Sequence, residues 1–213
     1  MTLLALDASG PRAGLAVLAA EGATLGRWSA PLQPGLIETL PLLLREAVAE
    51  HVPTNLAVCT GPGSFTGLRT SIALAQGFAA ALGLPLRGIP AADAYAQGLT
   101  FAGRALWVVL RARRGRLFLL RAGQAEAWAD TALPMPARPI ALAGDEAPLA
   151  AAILAARGAD VLLSDARRAD PAWVGRAALA EIAAKRAPAP PLPLYLEPPE
   201  AKLPAAGLRP PPG

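Results

Sequence analysis

Residues 61–70 read GPGSFTGLRT, three glycines and a proline in the first seven positions, and lead directly into the alanine-rich run SIALAQGFAAALG at 71–83. A glycine-dense turn that opens a helix presents free backbone N–H groups and suits an anion. Three phosphate or nucleophile templates fail here. The Walker loop requires a lysine before Ser/Thr, and none is near. The dinucleotide fingerprint is missed by one residue, because the spacing is Gly61-x-Gly63-x-x-x-Gly67. Ser64 stands between Gly63 and Phe65 without the flanking pattern of a nucleophile elbow. Two readings remain. The N–H groups with the Ser64 and Thr66 hydroxyls hold an anion, or the glycines only permit positive φ while Ser64 or Thr66 caps the helix.

Working outward, NLAVCT at 55–60 reads as a buried strand before the loop, and a helix is expected from about Gly67 to Leu82, stopped by Gly83 and Pro85. TLLALD at 2–7 is a strand, and 14–30 are two strands turning at Glu21-Gly22. In LIETLPLLLREAVAEH, Leu36, Leu40, Leu43, Leu44, Ala47 and Val48 recur at helical spacing, with Pro41 expected to kink that helix or mark its first turn. LPLRGIP at 84–90 is another strand. A hairpin followed by strand–helix alternation implies a mixed sheet covered by helices. The second half reads as strands at 105–112, 116–122 and 160–165, with helices near 146–157 and 172–186. From Ala187 the proline density forbids helix or central strand, leaving an extended tail that docks through Tyr195 and Leu196.

With 54% hydrophobic and 17% charged residues over 213 positions, the chain can bury a sizeable core. No apolar run reaches membrane-span length, and the N-terminal run is cut by Asp7 without a basic region before it, so no signal peptide is expected. The lone cysteine, Cys59, is expected in the core and suits a reducing cytoplasm. The net charge of +4 is uneven: residues 1–103 carry five basic and six acidic side chains, residues 104–213 fifteen and ten. Six arginines and no acid fall within 104–121. The single histidine, His51, and the lack of H-E-x-x-H or C-x-x-C leave a metallopeptidase without ligands.

The block GPGSFTGLRTSIALAQGFAAALGLPLRGIPAADAYA at 61–96, with LLALDAS at 3–9 and PLYLEPPEAKLP at 193–204, closely resembles the TsaB (YeaZ) family. The resemblance covers most of residues 1–100 and returns in the tail. It implies an α/β fold of the actin-like ATPase and sugar-kinase superfamily: two lobes, each a mixed sheet with flanking helices, the second reduced. The corresponding division is 1–103, 104–186 and a Pro-rich tail 187–213. It further implies a non-catalytic partner of the TsaD threonylcarbamoyl transferase, required for N6-threonylcarbamoyladenosine at position 37 of tRNAs reading codons that begin with adenine. TsaE, an ATPase, joins a larger complex, and isolated members pair with themselves. No cofactor is expected of its own; ATP and metal belong to the partner proteins.

On this resemblance, Asp7 and Ser9 are remnants of a phosphate-binding hairpin, grouped with Gly61, Gly63, Ser64, Thr66, Gly67 and Arg69 of the glycine loop. The partner interface is expected on two helices, through Leu36, Leu40, Leu43, Leu44 and Ala47 of the first and Ala73, Gly77 and Ala80 of the second. Relatives usually carry Asp-Ala-Arg where this chain has Arg111-Ala112-Arg113; Arg111–Arg116 is read either as an edge touching tRNA phosphates or as a hairpin of solvated charges. The competing enzyme reading is a stand-alone ATP-binding phosphotransferase using Asp7 and the glycine loop.

Overall fold

A computed structural model describes residues 1–31, 36–113, 115–121 and 123–197, excluding the side chains of Leu36 and Ile37. Expectations for Arg114 and for the tail from 198 to 213 lie outside the described residues. The first half forms one five-stranded sheet. Strands β1 (Thr2–Asp7), β2 (Arg12–Ala19) and β3 (Thr24–Pro31) are an antiparallel meander, and β4 (Asn55–Gly61) and β5 (Leu86–Pro90) add in parallel beside β1, in the order β3-β2-β1-β4-β5. The central strands are apolar through their middles and buried on both faces. β3 lies at the edge, and its residues alternate between half-buried and exposed.

Helices α1 (Leu36–Glu50) and α2 (Phe65–Leu82) cover one face of this sheet. α1 runs through Pro41 without ending there, at an exposed position. α2 starts two residues before Gly67, because Ser64 accepts a hydrogen bond from the Gly67 N–H through its Oγ (3.2 Å) and so caps the helix. Gly83, at φ 65°, ends it in the left-handed conformation that a side chain disfavours. A short helix, α3 (Ala91–Gly98), follows β5; the sequence reading did not include it.

The second half repeats this plan. β6 (Ala105–Arg111), β7 (Arg116–Arg121) and β8 (Gln124–Ala129) are antiparallel, and β9 (Ile140–Ala143) and β10 (Val161–Leu163) lie parallel beside β6. The order β8-β7-β6-β9-β10 matches that of the first sheet strand for strand. The lobe is reduced: a single 3-10 turn, Asp130–Ala132, stands where α1 would lie. α4 (Ala147–Ala156) joins β9 to β10. The last helix, α5 (Pro171–Ala183), crosses back onto the first sheet. Its Ala172, Val174, Ala177 and Ala178 pack with α3 and with Leu3, Ala5, Ala16 and Leu18, in a core that also takes in Val108, Leu120 and Ala143 of the second sheet. The two lobes therefore share one core, with α3 and α5 between the sheets.

Candidate functional site

The glycine loop lies against the turn that follows β1. A Cβ on Gly67 would stand 1.9 Å from the Ala8 carbonyl oxygen, and one on Gly63 would stand 2.3 Å from that of Ser9. The Ser64 N–H donates to the Ser9 carbonyl (2.7 Å), and the Gly67 N–H is taken by Ser64 Oγ. Gly61, at φ 93°, turns the chain out of β4 and faces Leu68. Asp7, Ser9, Gly61, Gly63, Ser64 and Gly67 thus meet, and their polar groups engage one another. The capping alternative is the one that forms, and the Ser64 and Gly67 N–H groups are both occupied. Thr66 is exposed. Arg69 is turned away, its guanidinium 3.7 Å from the Phe65 ring centroid and its Nε donating to the Tyr195 hydroxyl (2.8 Å).

Beneath the loop, Asp7 is buried and accepts from the Ser9 N–H (2.8 Å); burial pushes its carboxyl above the ordinary range despite these hydrogen bonds. Burial, with the Asp7 charge added, pushes the Cys59 thiol well up, which removes it as a nucleophile. Tyr95 shifts upward for the same reasons. His51 is half-buried at the end of α1, edge-on to Trp28 at 6.1 Å. Among the described residues no group of three or more His, Cys, Asp or Glu is placed to hold a metal, and no helix is long and apolar enough to cross a membrane.

A cleft of about 680 Å³ opens between the lobes, walled by Ser9, Gly63 and Phe65 on one side and by Arg111, Arg113 and Arg168 on the other. Arg111 ends β6 as Asp7 ends β1, so the equivalent strand ends carry opposite charges. Arg111 pairs with Glu146 (2.7 Å), and its N–H donates to Asp145 (2.9 Å). Arg113 (3.2 Å) and Arg116 both pair with Glu197 of the tail. Arg111, Arg113 and Arg116 are therefore each paired with a carboxylate while remaining partly exposed.

The structure divides the expected interface residues. Leu40 and Ala47 are wholly buried and Leu44 nearly so, all three in one core cluster with Leu15, Val17 and Ile72. They belong to the lobe's own core, which corrects their assignment to a partner surface: a buried side chain cannot meet a second molecule. Leu43 is half-buried against the same core, and the Leu36 side chain lies outside the described residues. Ala73, Gly77 and Ala80 are exposed, and a Cβ on Gly77 would meet nothing within 4 Å. Sequence reasoning missed Leu42, 47% exposed, and Phe65 and Leu82, which are exposed on α2. The signal was available for Leu42: two residues from Leu40, about 200° around the helix, it falls opposite the apolar stripe.

The family model of TsaD, tRNA N6-adenosine threonylcarbamoyltransferase, matches residues 37–181. Comparison with curated proteins gives no sequence match. Among solved structures, an uncharacterized Pseudomonas aeruginosa protein with similarity to peptidase YEAZ superposes with a TM-score of 0.75 at 22% identity, covering 92% of this chain and 99% of that one. YeaZ from Pseudomonas aeruginosa gives 0.73 at 22% identity, covering 92% and 100%. The ethanolamine utilization protein EutJ from Carboxydothermus hydrogenoformans gives 0.50 at 12% identity, covering 84% and 89%. The two mixed sheets with flanking helices are those of the actin-like ATPase and sugar-kinase fold. The chain belongs to the TsaD family, that of the tRNA N6-adenosine threonylcarbamoyltransferase, and shares its fold with YeaZ.

Proposed function

We propose that the chain is a non-catalytic cytoplasmic partner of the TsaD transferase, required for N6-threonylcarbamoyladenosine at position 37 of tRNAs reading codons that begin with adenine. The observation that carries this reading is the outer side of α2. Gly77 occupies an exposed helix interior with open space around it, where Ala would favour the helix by about 1 kcal/mol. Close approach of a second helix explains a glycine there, and exposed Leu42, Phe65 and Leu82 supply apolar area on the same side of the sheet. The same surface serves a homodimer when the chain is alone, and TsaE joins the larger complex. ATP and metal chemistry belongs to those partners. The phosphotransferase alternative is disfavoured by the Ser64 and Ser9 contacts, which occupy two of the loop's N–H donors.

Light scattering on the chain mixed with TsaD of the same organism tests this reading. A heterodimer is expected with the wild type and is expected to be lost with Gly77→Arg. Unchanged association of the variant, or no association at all, removes the proposal. Loss of the modified adenosine from tRNA on gene deletion, read by mass spectrometry, tests the pathway independently.

A further inference from the structure

The last described segment, 187–197, returns across both lobes. The Gly88 N–H donates to the Ala189 carbonyl (3.0 Å) and the Leu194 N–H to that of Thr60 (2.8 Å), which lays the tail along the first sheet. The Tyr195 ring then packs on Phe65 with centroids 5.6 Å apart, and the Arg69 guanidinium lies 3.7 Å from the Phe65 centroid and 5.7 Å from that of Tyr195. Two residues on, Glu197 reaches the other lobe and is held by Arg113 and Arg116. Beneath the tail a cavity of about 200 Å³ shares Gly63, Phe65 and Phe118 with the interlobe cleft.

The tail thus places an aromatic ring on an aromatic–guanidinium platform and a carboxylate between two guanidinium groups. Two extended residues span about 7 Å, within the reach of one nucleotide. A base stacks on such a platform whatever its identity, and a phosphate takes a paired arginine site as a carboxylate does. Of the charged residues lining the two cavities, five are arginines (Arg69, Arg111, Arg113, Arg167 and Arg168), and the two acids are Asp145 and Glu197 itself. Asp145 is already bonded to the Arg111 N–H. Withdrawing Glu197 leaves a surface suited to a polyanion that carries aromatic groups.

We propose that this surface is a binding site for single-stranded RNA, and that residues 194–197 hold it closed by standing in for one nucleotide, Tyr195 for the base and Glu197 for the phosphate. The proposal rests on the tRNA-linked reading above for the choice of RNA over a peptide. Opening follows from displacing four residues held by the Leu194–Thr60 backbone hydrogen bond, the Arg69–Tyr195 hydroxyl hydrogen bond, one ring contact and the two ion pairs of Glu197, for which a phosphate offers the guanidinium groups an equivalent anion.

Fluorescence anisotropy of a labelled, unstructured RNA ten-mer with the full-length chain, at several salt concentrations, is the test. Glu197→Gln is expected to tighten binding about threefold, and Tyr195→Ala/Glu197→Gln at least tenfold. The slope of log K against log salt should steepen by about 0.7 for each phosphate newly engaged. Adding Arg113→Ala and Arg116→Ala should cancel the gain, and a peptide of residues 188–197 supplied in trans should displace the RNA. Equal binding by wild type and both released variants overturns the proposal, as does a gain that survives loss of the two arginines. Capture of the peptide without RNA assigns the surface to protein and also overturns it. Glu197→Gln keeps the size of the side chain it replaces, so a folding defect in the double variant does not protect the idea. Light scattering with TsaD is scored separately: heterodimer without RNA binding fails only this inference, and RNA binding without heterodimer fails only the α2 reading.

Discussion

The first turn of α2 meets the turn after β1 backbone to backbone: a Cβ on Gly67 would stand 1.9 Å from the carbonyl oxygen of Ala8, with a further contact at 3.2 Å to Ser64 Oγ. The distance is shorter than any real Cβ contact, and the opposing atom is backbone, which has no rotamer to move. Gly67→Ala therefore has to part the loop from the strand end, breaking the Ser64–Ser9 hydrogen bond on the way. We expect a loss of about 2 kcal/mol or more, read as a lower denaturant midpoint with an unchanged slope. Wild-type stability in this variant would show that the loop has room for a ligand after all.

Local chemistry made the glycine loop, the first hairpin and the strand before the loop legible, because each depends on neighbours in sequence. The allocation of helix faces did not follow, since periodicity reveals an apolar stripe without saying what covers it. Leu40, Leu44 and Ala47 turned out to be covered by the chain's own sheet. QAEAWA at 124–129 carries a charged residue and three alanines, and IALA at 140–143 is only four residues long, so neither strand stood out. The repeat of the strand order between lobes is a property of pairing, invisible in a chain whose halves differ in composition. The ties of Glu197 to Arg113 and Arg116 bridge about eighty residues, and no spacing rule spans them.

Gly77→Ala separates stability from partner binding. Its Cβ meets open space, so the substitution removes the backbone entropy of a mid-helix glycine at no steric cost. A gain of about 1 kcal/mol, or a Tm higher by about 2–4 °C, is expected for the isolated chain. Heterodimer affinity should fall at the same time, since the methyl group enters the space a partner helix needs. A variant that is both more stable and equally well associated would place the interface elsewhere.

Leu40 and Leu42 sit on opposite sides of α1, one wholly buried and the other 47% exposed. Leu40→Ala should cost about 2–5 kcal/mol, and Leu40→Asp should prevent folding, since it buries a charge among Leu, Val and Ala side chains. Leu42→Asp should leave stability within about 0.5 kcal/mol of wild type. It should nevertheless weaken the heterodimer through loss of exposed apolar area. Thermal melts paired with light scattering read both effects, and only Leu42→Asp can report on the interface.

Asp7 gives the fold a pH dependence of definite sign. Burial raises its carboxyl above the ordinary value of 3.8, so the folded chain binds this proton more tightly than the unfolded one. The associated stability is fully present below pH 3.8 and is lost as pH rises through the folded-state pKa. Asp7→Asn keeps an oxygen to accept the Ser9 N–H (2.8 Å in the wild type) and removes the charge. We expect the variant to be more stable at pH 7 by on the order of 1 kcal/mol, with the two melting curves converging as pH falls toward 4. A difference that stays constant between pH 4 and 8 would mean that Asp7 does not titrate in that range, and that its burial is offset by the Ser9 and Cys59 contacts at every pH.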